Sequence, residues 1–280
     1  MNLARLWDGL ADELQREFCK FRSHLTGLDI SVKSDNTLLT DADIAIENLI
    51  IHHIRAIDPN PVVVAEEDER STIREEVLWR PGRIWVIDPI DGTAEFVKPE
   101  GREFCSVVCL LEDLVPTHAF VFAPELGHGA TPIQVTGNVG NSSITVNGSA
   151  GDRRAGQWVS ATRSNGTEPR SFEAELEQTG YGLKTRTTSQ TLDMVRTAVN
   201  VETLTDPPLP QFQMFIRVNQ KVWDGLAGLC LGTLAGLVCV DSHGRDRVPV
   251  SLDVLSLPEP VFSSTIVGDE ELVSWLLERV

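Results

Sequence analysis

The segment that most constrains this chain is Ile84-Trp85-Val86-Ile87, four apolar residues that run straight into Asp88-Pro89-Ile90-Asp91-Gly92-Thr93. A continuous apolar run bounded by polar residues reads as a buried strand. Pro89 excludes a helix there, and Gly92 lets backbone come close to a ligand. Asp88 and Asp91, on either side of the break, can converge on one cation as hard oxygen ligands. The N–H groups of Gly92 and Thr93, which open the next segment, can hold a phosphate oxygen. Taken alone, the same residues also suit an ordinary strand-end turn with Asp as cap and Gly at positive φ.

A length of 280 residues with 41% apolar content allows one large α/β domain or two closely packed halves. The net charge of -17 argues against a nucleic-acid polymer or an anionic membrane as partner. An anionic substrate would need something cationic to hold it, and with 24 Lys+Arg against 41 Asp+Glu a bound metal is the natural candidate. Cys19, Cys105, Cys109, Cys230 and Cys239 contain no C-x-x-C pair and read as small buried hydrophobes in a reducing cytoplasm. Leu3, Leu6, Trp7, Leu10, Leu14 and Phe18 recur at helical spacing among charges, which indicates a packing helix rather than a signal peptide. The longest uncharged run, Gly225 to Val240, would reach ~24 Å as a helix, short of the ~30 Å hydrocarbon core. It reads as a buried helix with room for a following strand, and no membrane span is expected.

Asp29–Lys33 and Leu38–Thr40 suggest a hairpin turning at Ser34-Asp35-Asn36. A helix is expected from Asp41 to about Ile57, burying Ile44, Ile46, Leu49, Ile50 and Ile54. Pro61–Ala65 is a short strand that delivers Glu66 and Glu67. Arg83–Ile87, Phe104–Leu111 and Thr117–Phe122 read as strands, the last two forming an antiparallel meander. The stretch 125–155 suggests loops and edge strands. Further on come a strand at Gln157–Ala161, helices at Glu173–Thr179 and Thr191–Val199, a strand at Met214–Val218 and a helix from Trp223 to Leu237. The proline-rich stretch 200–212 fits none of these elements. Strands first and mixed α and β later argue for layered α/β.

Four segments place an acidic residue where an element begins or ends: Asp43, Glu66, the Asp88/Asp91 pair and Asp224. Each has a plain alternative. Asp224 suits a helix cap, Asp41 and Asp43 suit first-turn acids favoured by the helix dipole, and Glu66-Glu67-Asp68-Glu69 suits a charged surface turn. Together they offer the oxygen-rich set that Mg²⁺ prefers and that serves in-line displacement at phosphorus.

Thr40-Asp41-Ala42-Asp43, Glu66-Glu67, Asp88-Pro89-Ile90-Asp91-Gly92-Thr93 and Trp223-Asp224, in this order, resemble the inositol monophosphatase family of lithium-sensitive, Mg²⁺-dependent phosphatases. Asp91–Lys98, followed by Gly101-Arg102-Glu103-Phe104, resembles the branch that hydrolyses 3′-phosphoadenosine 5′-phosphate. Ala94-Glu95 stands where the inositol-phosphate branch has Asn, which favours the nucleotidase branch. The resemblance implies a fructose-1,6-bisphosphatase-like α/β fold, a layered αβαβα sandwich. Residues 1–150 would form a metal-binding α+β half and 151–280 an α/β half completing the site, as one compact unit.

The resemblance also implies roles. Glu66, Asp88 and the Ile90 carbonyl would bind a first Mg²⁺, and Asp88, Asp91 and Asp224 a second. Asp43 would orient water around a third, weaker ion, and Thr93, paired with Asp43, would position and deprotonate the attacking water. The catalytic residues are thus Asp43, Glu66 and Thr93. The amides of Gly92 and Thr93 would neutralise charge on the phosphoryl oxygens. Trp158–Ser164 resembles a substrate-contacting segment of the nucleotidase branch, which makes Ser160 and Arg163 candidates, although a strand followed by a polar turn fits it as well. Arg217 and Lys221 could meet a second phosphate, with surface solvation the plainer role. Gly225-Leu226 departs from the family's usual residues after Trp-Asp and alters the wall nearest the leaving group.

The expectation is a cytoplasmic phosphomonoesterase with Mg²⁺ as cofactor and a small phosphorylated substrate, the 3′(2′)-phosphate of a nucleotide first. The rivals are an inositol or sugar monophosphate phosphatase and a catalytically silent metal-binding protein of the same fold. The family often forms homodimers, and no feature of this sequence establishes one.

Overall fold

The computed structural model describes residues 3–33, 38–67, 82–163 and 167–280. Helix α1 (Leu3–Arg22) buries Leu6, Trp7, Leu10, Leu14 and Phe18, the stripe its spacing predicts. Strands β1 (Ile30–Val32) and β2 (Leu38–Thr40) pair antiparallel. The turn expected at Ser34-Asp35-Asn36 lies outside the described residues, as do Asp68 and Glu69 of the acidic turn and Ser164 of the substrate-like segment.

Helix α2 (Asp41–Ile57) begins at Thr40 in a capping box: the Thr40 hydroxyl accepts from the Asp43 N–H, and the Asp43 carboxylate accepts from the Thr40 N–H. This corrects one expectation. Ile44 is 49% exposed, whereas Asp43 is fully buried. The capping box holds Asp43 inward, so Ile44, the next residue round the helix, points to solvent.

Seven strands form the larger sheet, in the order β3 (Val62–Ala65), β4 (Arg83–Asp91), β5 (Cys105–Glu112), β6 (Val115–Ala123), β7 (Ile133–Asn138), β8 (Ser143–Val146) and β9 (Ser149–Ala150). Among the described residues only β3 and β4 pair in parallel, and the following strands form an antiparallel meander. The smaller sheet contains β10 (Trp158–Arg163), β11 (Gly182–Arg186), β12 (Phe212–Lys221), β13 (Val238–Val240) and β14 (Val261–Gly268), in the spatial order β11-β10-β12-β14-β13.

Among the described residues the remaining α-helices are α3 (Thr93–Phe96), α4 (Ser171–Gln178), α5 (Gln190–Ala198), α6 (Val222–Leu234), α7 (Leu252–Leu255) and α8 (Glu270–Leu277). Three apolar clusters define the layers. The first joins α1 and α2 to one face of the large sheet through Trp85, Ile87, Val108 and Phe120. The second joins the opposite face, through Val86, Val107 and Val121, to α5 and α6 and on to Phe215 and Val267 of the small sheet. The third joins the far side of the small sheet, through Val159, Met214 and Ile266, to α4 and α8. The order is α, β, α, β, α, as expected. Helix α6, buried between two sheets, is the uncharged run that cannot span a membrane. Among the described residues no helix is long and apolar enough to do so.

Candidate active site

The site is built on a fault in β4. Asp88 opposes Val107 and Asp91 opposes Cys105 on β5, so β4 carries one extra residue between them. Side chains three apart on a regular strand face opposite sides of the sheet. The bulge reverses that parity: Ile90 joins the α1/α2 core with Ile87, while Asp91 faces α5 on the same side as Asp88. Pro89, without an N–H, interrupts the ladder, and the Ser106 hydroxyl donates to its carbonyl at 2.7 Å. The strand therefore runs to Asp91 rather than stopping at Ile87.

Asp88, Asp91 and Asp224 offer oxygens that all lie within 4.8 Å of one another, and all three residues are buried. Asp91 is held by the N-terminus of α5. It accepts from the Ser189 hydroxyl at 2.7 Å, the Thr191 N–H at 2.6 Å and the Gln190 N–H at 3.4 Å. Asp224, in the first turn of α6, accepts from Gln190 Nε2 at 2.6 Å. Among the described residues neither oxygen of Asp88 has a hydrogen-bond donor. Burial pushes the pKa values up: Asp91 to about 6, against the hydrogen bonds from Ser189, Thr191 and Gln190, and Asp88 and Asp224 well above the usual range, where repulsion from neighbouring carboxylates adds to it. Three convergent buried carboxylates, one without any donor, are a donor set suited to a hard divalent cation.

Glu66 stands beside this group. Lys33 Nζ donates to Glu66 at 2.8 Å and to Glu67 at 2.5 Å, and the Glu66 charge is among the causes that raise Asp88. Burial opposes it, but Glu66 and Glu67 hold the Lys33 ammonium above its ordinary range. On the other side, the Thr93 hydroxyl lies 3.3 Å from Asp43 Oδ1 and 3.0 Å from the Ile90 carbonyl oxygen. Asp43 Oδ2 accepts from the Thr40 hydroxyl at 2.6 Å and its N–H at 2.7 Å. Burial still raises Asp43 to about 6. Thr93 starts α3 from Gly92, whose φ of +92° is left-handed; a Cβ there would stand 2.8 Å from the Glu103 carbonyl oxygen.

Residues 8–270 match the model of the inositol monophosphatase family. The chain belongs to this family. Its members are metal-dependent phosphatases that use Mg²⁺. Over 97 residues the chain is 37% identical to the 3′(2′),5′-bisphosphate nucleotidase CysQ of Escherichia coli strain K12, covering 35% of this chain and 38% of that protein. Over 116 residues it is 39% identical to the histidinol-phosphatase of Mycobacterium tuberculosis, covering 41% of this chain and 40% of that protein. The chain thus matches these curated relatives over 38% and 40% of their length. Among solved structures, the extragenic suppressor protein SuhB of Bartonella henselae has the same fold, with a TM-score of 0.75 at 16% identity, over 100% of this chain and 98% of that one.

Around this inositol monophosphatase core, the other expected residues divide. Arg217 faces the cluster: burial lowers its pKa, while the charges of Asp224, Asp91 and Asp193 oppose that effect. One of its terminal nitrogens donates to the Thr187 hydroxyl at 3.0 Å, and its buried Nε has no partner among the described residues. Arg163 is committed elsewhere, donating to Glu173 at 2.6 Å and to the Thr167 carbonyl at 3.1 Å. Lys221 pairs with Glu259 at 2.7 Å and lies over the Trp223 ring. Ser160 is fully buried and donates to Asp193 Oδ2 at 2.8 Å.

Sequence reasoning missed that buried network. Lys184 Nζ donates to Asp193 Oδ1 at 2.6 Å, Thr188 at 2.6 Å and Glu103 at 2.9 Å. It also missed Ser189, Gln190 and Thr191, although Ser189 just before a helical pattern is an N-cap signal. The proline-rich stretch 200–212 now has a place. With Thr205, Pro207 and Leu209 it lines a cleft of about 510 Å³ whose other wall includes Glu95, Glu103 and Leu126.

Proposed function

We propose that this chain is a Mg²⁺-dependent phosphomonoesterase acting on a small phosphorylated metabolite, with the 3′(2′)-phosphate of a nucleotide such as 3′-phosphoadenosine 5′-phosphate as its first substrate. The observation that carries this reading is the convergence of Asp88, Asp91 and Asp224, with both Asp88 oxygens lacking donors, next to the Asp43–Thr93 pair. Asp88, Asp91 and Asp224, with Glu66 and the Ile90 carbonyl beside them, are the oxygens that would hold Mg²⁺. When bound, the ion supplies positive charge for the phosphoryl oxygens and acidifies water.

The chain's own groups handle the proton. Thr93 Oγ accepts a hydrogen bond from the attacking water while its own hydroxyl proton points to Asp43, so the water proton passes towards the carboxylate as the water oxygen bonds to phosphorus. The phosphorus–oxygen ester bond breaks, and the leaving alkoxide takes a proton from solvent. Gly92 and Thr93 present the turn at which the phosphoryl group docks. Arg217, whose guanidinium Nε–H has no partner among the described residues, holds a second anionic group. The five cysteines are free, which supports a reducing, cytoplasmic setting; Cys105, Cys109 and Cys230 are buried, whereas Cys19, expected to be buried, is exposed and Cys239 is half-buried.

The kinship with CysQ supports a nucleotide, and that with the histidinol-phosphatase supports an amino-alcohol phosphate as the second reading. The test is phosphate release from 3′-phosphoadenosine 5′-phosphate, histidinol phosphate and inositol 1-phosphate, with Mg²⁺, with EDTA and with added Li⁺. Metal-dependent preference for the nucleotide is expected, with Li⁺ inhibiting. Preference for another ester moves the substrate assignment, and turnover of none of the three overturns the reading.

A further inference from the structure

Gln190 touches two of the three clustered carboxylates at once. It is the first residue of α5 and is 9% exposed. Its backbone N–H donates to Asp91 Oδ1 and its side-chain Nε2 to Asp224 Oδ2, at 3.4 and 2.6 Å. The other end of the same amide, Oε1, is buried and has no donor among the described residues. Electrostatics fixes this orientation, because the flipped amide would set an oxygen lone pair against the Asp224 carboxylate.

The two carboxylates do not depend on Gln190 equally. Asp91 has further donors in Ser189 and Thr191, so it stays oriented without the glutamine side chain. The Asp224 carboxylate is held through the glutamine amide. A buried amide oxygen left without a donor has given up its water without compensation. A hard cation, bound directly or through water, takes oxygens of this kind.

We propose that Gln190 is a positioning residue for the cation site: it clamps Asp91 and Asp224 at the spacing a shared Mg²⁺ needs and offers Oε1 to the hydrated ion. This rests on reading the cluster as a Mg²⁺ site. Groups that orient metal ligands are commonly worth 10–100-fold in metal affinity, roughly the range expected here.

The experiment is calorimetric titration of the metal-free protein with Mg²⁺, for the parent chain, Gln190→Leu and Gln190→Met. Both substitutions keep the volume and remove the amide, so one serves if the other fails to fold; circular dichroism in EDTA reports which is folded. Affinity should fall by about 10- to 100-fold in a folded variant, and activity should return as Mg²⁺ is raised while the KM for the phosphate ester stays near the parent's. A purely structural role would lower the melting temperature and leave Mg²⁺ affinity alone. Affinity within about twofold of the parent in a folded variant overturns the clamp, as does a parent that binds no Mg²⁺. A parent that binds Mg²⁺ but hydrolyses no phosphate ester overturns the proposed activity instead, and the titration still reads the clamp.

Discussion

Thr93 has one hydroxyl proton and two acceptors, Asp43 Oδ1 at 3.3 Å and the Ile90 carbonyl at 3.0 Å. The longer contact to Asp43 is the one a proton relay needs, and such contacts often tighten only when substrate is bound. Thr93→Val tests the relay, because it removes the hydroxyl and keeps the branched shape. The turnover number should fall by about 10²–10⁴-fold, while calorimetric Mg²⁺ affinity stays near the parent's, since the three clustered carboxylates are untouched. Turnover close to the parent's would show that the hydroxyl does not carry the proton. Residue chemistry was the most legible level of the sequence, because carboxylates at strand and helix ends announce themselves. What could not be read was commitment: Arg163 and Lys221 look available until Glu173 and Glu259 are brought to them by folding.

At the scale of elements, α5 orients more than its nine residues suggest. Ser189 caps it by accepting from the Leu192 N–H at 3.0 Å, and the same hydroxyl donates to Asp91 at 2.7 Å. Ser189→Ala should therefore cost the usual cap value of about 1 kcal/mol and also loosen Asp91. Both a lower melting temperature in EDTA and weaker Mg²⁺ binding are expected; a lower melting temperature with unchanged binding would confine Ser189 to capping. Elements with strong local signals were found to within a residue or two, such as α2 and the β5–β6 meander, and the buried stripe of α1 was read correctly. Strand β14 was missed although it lies between β12 and β13, because Ser263-Ser264-Thr265 interrupt its apolar run. Ser263 points to solvent, buried Ser264 accepts from the Ser242 N–H at 2.9 Å, and the buried Thr265 hydroxyl has no partner among the described residues. The bulge at Pro89 was equally invisible, since only pairing with β5 reveals which residue is extra.

At the scale of the whole molecule, the metal-free site is a store of repulsion. Burial raises Asp43 and Asp91 to about 6 and Glu67 to about 7, and it lifts Asp88 and Asp224 well above the usual carboxylate range. For each of these acids the folded form holds its proton to higher pH than the unfolded chain does. Between about pH 4 and 7 the folded state therefore binds more protons, and stability falls as pH rises. The net charge of -17 works in the same direction. Lowered acids such as Glu103, where burial is outweighed by Lys184 and Arg196, lose their contribution only at more acid pH, below this window. In EDTA the melting temperature should be higher at pH 5 than at pH 7.5. Mg²⁺ reverses the balance, because it binds the ionised carboxylates and stabilises the folded state by mass action, releasing protons as it does so. The rise in melting temperature on adding Mg²⁺ should be larger at pH 7.5 than at pH 5, with proton release measurable as a buffer-dependent heat of binding. A metal-free melting temperature that climbs from pH 5 to pH 7.5 would mean that the cluster is relieved by some other means, and the buried carboxylates would lose their claim to be the cation site.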